Sequence, residues 1–191
     1  MRKRTLRSIF NFLPASLILV CILAAPLAAT VVLRQSLEQL THGSETVVHG
    51  EVVKTWAAWD PDRTAIWTHY EIQVAEAWKG VPGRSVVISE PGGEVGGMRM
   101  AVPGAPQYRV GEQVVVFAVR TPVGYLRTCG WGQGRYLVST DGQVRADLAQ
   151  TPVVEGSKSG ATAKSAATPP STLEGLRKHV LALTSASGGA R

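Results

Sequence analysis

The chain has 191 residues, is 45% hydrophobic and 18% charged, and carries two cysteines and a formal net charge of +6. One ordinary domain with tails fits that length, and a core of that size needs neither disulfide nor structural metal. The normal apolar fraction excludes disorder throughout, and the positive charge raises nucleic acid or an anionic membrane as partners unless it is concentrated elsewhere.

It is concentrated at the start. Arg2, Lys3, Arg4 and Arg7 open the chain without an acid, an apolar run follows from Phe10, and small residues close it at Ala24-Ala25 and Ala28-Ala29. This predicts a secretory signal peptide over 1–29, cut after Ala29 or, as second choice, after Ala25. The alternative is an uncleaved anchor over residues 10–33, since Ser16–Leu33 has no charge and approaches spanning length. Pro14 and Pro26 favour cleavage, and Val20 before Cys21 disfavours a lipoprotein. Four of the 20 basic residues lie in this segment, so 16 face 14 acids beyond Ala29, a net charge of +2. The basic excess therefore marks an export route. No basic stripe interleaved with aromatics remains, and no nucleic-acid partner is expected. The expected location is periplasmic or extracellular, and Cys129 is the cysteine left after cleavage.

Residues 30–149 form the expected domain. Leu33, Leu37 and Leu40 recur at helical spacing before Gly43, predicting a short helix over 30–43. Strands follow at 46–56 and 66–78, separated by an Asp60-Pro61-Asp62 turn. In the second, Ile66, Thr68, Tyr70, Ile72 and Val74 share one face, and Trp67, His69, Glu71 and Gln73 share the other; period two marks a half-buried antiparallel strand. Further strands are expected at 84–89, 113–120 (apolar enough for burial on both faces) and 125–129, then a hairpin around Asp141-Gly142. Strands this short and this closely spaced predict a mainly β fold, a sandwich or small barrel. Residues 150–170 are rich in Ser, Thr, Ala, Gly, Lys and Pro, predicting a flexible low-complexity linker. Ser171 and Glu174 form a capping-box pattern ahead of an amphipathic helix over 171–184 with Leu173, Leu176, Val180 and Leu183 on one stripe. It is expected to dock on the barrel or, alternatively, on a partner. Residues 185–191 are expected to be a disordered tail.

The glycine-rich stretch 92–97, GGEVGG, has no Lys-Ser/Thr after it, so it predicts a flexible inter-strand loop rather than a phosphate cradle. His42, His49 and His69 are scattered; no metal and no cofactor are expected. His49 beside Glu51, and His69 beside Glu71, are expected on solvent-side faces. Leu126-Arg127-Thr128-Cys129 is similar to the Leu-x-Thr-Cys stretch of sortases, exported β-barrel transpeptidases that use Cys, His and Arg. That resemblance implies an alternative in which Cys129 is the nucleophile, with His69 and Arg135 as partners.

A broader resemblance covers residues 42–138. Gly43-Ser44-Glu45-Thr46-Val47-Val48-His49-Gly50-Glu51-Val52-Val53, then Tyr70-Glu71-Ile72-Gln73-Val74 running to Trp78-Lys79-Gly80, then Val110-Gly111-Glu112 with Gln113–Val116, Gly124-Tyr125-Leu126, Cys129 and Trp131 together resemble the netrin-like domain family. This family includes the tissue inhibitors of metalloproteinases. The resemblance implies an OB-like barrel of five to six antiparallel strands that works by binding. The family's zinc-chelating N-terminal cysteine is missing here, so metalloproteinase inhibition does not carry over. Trp56, Trp59 and Trp67 around the 57–65 loop, and Trp131 between glycines, are the candidate binding residues, since loop aromatics anchor interfaces. The expected function is thus an exported, non-catalytic module of a bacterial-type envelope or the extracellular space that engages a protein or surface ligand. A sortase-like enzyme and an envelope-tethered structural protein are the alternatives.

Overall fold

A computed structural model describes residues 32–147, 153–154 and 169–188. The expected signal segment, most of the linker and residues 189–191 of the expected tail lie outside them, whereas residues 185–188, expected to be disordered, continue the C-terminal helix. The fold is mainly β. Strand β1 (Val32–Leu33) precedes helix α1 (Leu37–Gly43), and the barrel strands are β2 (Thr46–Trp59), β3 (Ile66–Lys79), β4 (Ser85–Pro91), β7 (Gln113–Arg120) and β8 (Leu126–Thr128). Between β4 and β7 lies a small hairpin of β5 (Gly93–Val95) and β6 (Met98–Met100). A 3-10 turn, Trp131–Gly134, leads to β9 (Arg135–Val138) and β10 (Val144–Ala146); β11 (Val153–Val154) and α2 (Leu173–Gly188) follow.

The main sheet runs β10-β9-β7-β2-β3-β4-β8, and β8 also pairs with β7. Strands β7, β2, β3, β4 and β8 thereby close a five-stranded ring of OB-like form. The long β2–β3 hairpin supplies most of its wall, with irregularities at Val47/Val48, His49/Gly50 and Val52/Lys54. Bulges of this kind bend a strand and increase its twist, which a small ring requires. Gly50 sits where the wall is tightest: a Cβ there would lie 2.1 Å from the Gln73 carbonyl oxygen.

Strand β7 is buried on both faces. Val114, Val116 and Ala118 join Val48, Val52, Tyr70, Ile72, Val86 and Ile88 inside the ring. Val115 and Phe117 point the other way, into a second core with Leu37, Leu40, Trp78, Tyr136, Leu176 and Val180. The C-terminal helix thus docks on the barrel, and Arg177 Nε donates to both oxygens of Glu76 at 2.8 and 2.9 Å.

Three local expectations change. The helix predicted over 30–43 begins only at Leu37, because Ser36 caps it in a reciprocal box with Gln39; Val32–Leu33 instead pairs in parallel with Val153–Val154 of the predicted linker. For α2 it is Thr172 Oγ1 that accepts the Gly175 N–H, while the Ser171 carbonyl is taken by the Val144 N–H. The glycine-rich stretch is a paired hairpin, turning at Gly96-Gly97 (φ +60° and +80°).

Candidate functional site

Two constellations stand out, on opposite faces of strand β4. Alternation along β3 and β4 sends Ile66, Thr68, Tyr70, Ile88 and Glu90 inward and Trp67, His69 and Ser89 outward. On the outer face, cross-strand register puts Trp56 beside His69 and His69 beside Ser89. The Trp56 and His69 rings stack at 5.2 Å, His69 meets the Tyr125 ring edge-on at 5.4 Å, and Tyr125 meets Trp67 at 5.1 Å. These rings form one continuous ledge. Lys54 Nζ sits 5.1 Å from the Trp56 ring centre. Trp56 is 36% exposed, and Val87 and Val53 are exposed as well.

His69 is itself buried, at 7% exposure, which corrects the expectation of a solvent-side histidine: Trp56 and Tyr125 cover it. Its Nδ1 lies 2.8 Å from Ser89 Oγ. Burial pulls its pKa below the ordinary histidine value, which favours the neutral ring at pH 7. His49, on the neighbouring strand, is half-buried against the Trp78 ring at 6.4 Å.

The inner constellation occupies one end of the barrel. Glu90 is 1% exposed. One carboxylate oxygen accepts the Thr128 N–H at 2.7 Å, and the other lies 3.5 Å from Arg127 Nη2. Tyr108 Oη and Thr128 Oγ1 are 2.5 Å apart, and the Tyr70 and Tyr108 rings are in contact at 4.9 Å. Arg135 lies 4.6 Å from the Tyr108 ring centre and is held by Glu112 and Asp147. Burial pushes the Glu90 carboxyl up to about 7, against the opposing pull of Thr128 and Arg127. Above Glu90 lies a cavity of about 460 Å³, floored by Thr68 and Tyr70 and roofed by residues 91–93 and 99–107. Gly93 lets the roof lie this close: at φ +135°, a Cβ there would come within 2.6 Å of Thr68 Oγ1.

The expected binding residues divide. Trp56 and Trp67 share the ledge. Trp59 pairs with Ile66 and so lies on the opposite face of the hairpin. Trp131 packs under the Arg127 guanidinium at 4.6 Å. The alternative catalytic set is distributed among three environments: Cys129 is buried in the second core beside α1, His69 bonds Ser89, and Arg135 is engaged by two carboxylates. Burial raises the Cys129 pKa, outweighing the opposing pull of a Ser44 hydrogen bond and of Lys79, whereas a nucleophilic thiol needs it lowered. Tyr125 and Glu90 escape motif reading. The alternation pattern places Glu90 inward only once the strand is extended to Pro91, two residues beyond its predicted end. The sequence matches no family model and no curated protein.

Proposed function

We propose that this protein is an exported, non-catalytic binding module of a bacterial-type envelope or the extracellular space, and that it takes a protein partner on the ledge formed by Trp56, His69, Trp67 and Tyr125. The observation that carries this reading is the placement of those rings. They stack on one another outside both apolar cores, on a face where Trp56, Val53 and Val87 remain exposed. A contiguous apolar surface rimmed by polar groups, here Lys54 and Glu71, is the usual form of an interaction site, and Trp and Tyr are the side chains that anchor one. The resemblance to netrin-like barrels, a scaffold that works by binding, points the same way. Export rests on the basic and apolar pattern of residues 1–29.

Affinity capture from envelope fractions tests the proposal, with the full chain as bait. Trp56→Ala and Trp67→Ala should each lower recovery of the captured protein at least tenfold, the size expected of an anchor worth about 2 kcal/mol, with melting nearly unchanged. Trp59→Ala, on the other face, should leave recovery intact. Equal recovery by all three variants overturns the ledge as the site.

A further inference from the structure

The cavity at the barrel end carries chemistry of its own. Glu90 is the acid among its lining residues, and its charge is poorly compensated. Arg127 approaches no closer than 3.5 Å and spends its guanidinium face on Trp131; the two terminal nitrogens of Arg135 are taken by Glu112 and Asp147, and its Nε is buried without a partner; Arg99 lies at the exposed rim. Tyr70 and Tyr108 are held neutral, their pKa values raised by burial. A buried carboxylate with one incompletely satisfied oxygen is costly, and a cationic hydrogen-bond donor placed in the cavity would offset that cost. The rest of the lining suits a short hydrocarbon stem: Met100, Val102, Pro103, Ala105 and Pro106 supply apolar wall. The volume accommodates a small molecule and no folded partner.

We propose that this cavity is a binding site for small primary amines, with the ammonium group donating to Glu90 and the alkyl chain lying under the 99–107 loop. The site is distinct from the ledge and does not depend on it. Since an ammonium ion binds the ionised carboxylate, affinity falls with the ionised fraction of Glu90. With the free carboxyl titrating at about 7, binding at pH 8 should be about tenfold tighter than at pH 6. The charged and titratable groups around it are Arg127, Arg135, Arg99, Tyr70 and Tyr108, and burial holds the two tyrosines neutral over that range.

The test is an amide NMR titration of the full chain with n-butylammonium chloride, following the Thr128 N–H that donates to Glu90. Saturable shifts are expected with n-butylammonium and with putrescine, and none with n-butanol or sodium butyrate. Glu90→Gln keeps an acceptor for Thr128 and should abolish saturation. Ala101→Phe, at the exposed rim, should block it while leaving the melting temperature unchanged, and Trp56→Ala should bind as the parent does. Equal shifts from butanol, undiminished binding by Glu90→Gln or by folded Ala101→Phe, pH-independent affinity, or no saturable shift at all would each overturn the proposal.

Discussion

At the residue scale, Glu90 has the largest consequence for stability. Burial raises its pKa from 4.5 to about 7 in the folded chain. The folded state therefore binds the Glu90 proton more tightly than the unfolded state does. The stability tied to that protonation is complete below pH 4.5 and is lost as pH rises towards 7. The shift corresponds to on the order of 3 kcal/mol. Glu90→Gln cannot ionise, so its stability relative to the parent should improve from pH 4.5 to 7.5; urea denaturation at those two pH values measures the change. His69 acts with the opposite sign. Its pKa is lowered by burial, so stability tied to the neutral ring is present above about 6.5 and is lost as pH falls. The variant comparison separates the two, because His69 is common to both proteins.

At the element scale, the β5–β6 hairpin illustrates how far sequence reading reaches. A run of four glycines around Glu94-Val95 carries no side-chain alternation, so nothing in the local pattern distinguishes a paired hairpin from a loop. The pairing is dictated by the face it covers: Ala57, Ile66 and Thr68 lie under Gly93. By contrast β2, β3, β4 and β7 were legible, because alternation and β-branched runs are local properties. The ledge was half legible. Trp56 and Trp67 were visible as loop-flanking aromatics, but Tyr125 reaches them only because β8 pairs with β4 in parallel at Ile88 and Leu126, a long-range fact. The hairpin also yields a paired prediction. Gly93→Ala meets both a positive φ and a Cβ clash with Thr68, whereas Gly96→Ala meets positive φ with open space around it. The first should cost about 1–3 kcal/mol and the second clearly less, as thermal melting would report.

For the whole molecule, the ring is closed unequally. Strand β2 is paired along its length with β3, and β7 with β2 from Thr46 to Glu51. Strand β8 is short, joined to β7 over Leu126–Thr128 and to β4 only at Leu126; two residues on, the Thr128 amide is taken by the Glu90 side chain in place of a backbone carbonyl. Local opening follows the weakest pairing. Amide hydrogen exchange should therefore run faster at Leu126–Thr128 than at Val114–Ala118, which is buried on both faces. Uniform protection of the two segments would show that the ring opens only as a whole.

Strand β4 presents Ser89 to the ledge and Glu90 to the cavity from adjacent residues. A protein seated on the rings and an amine in the cavity would therefore be separated by a single layer of backbone. Any coupling between two ligands that share a wall that thin is reciprocal. Whatever factor the amine imposes on the affinity of the protein partner, the partner must impose on the amine in return. Measuring one coupling determines the other, and a factor of one would mean that β4 acts as a rigid partition between the two.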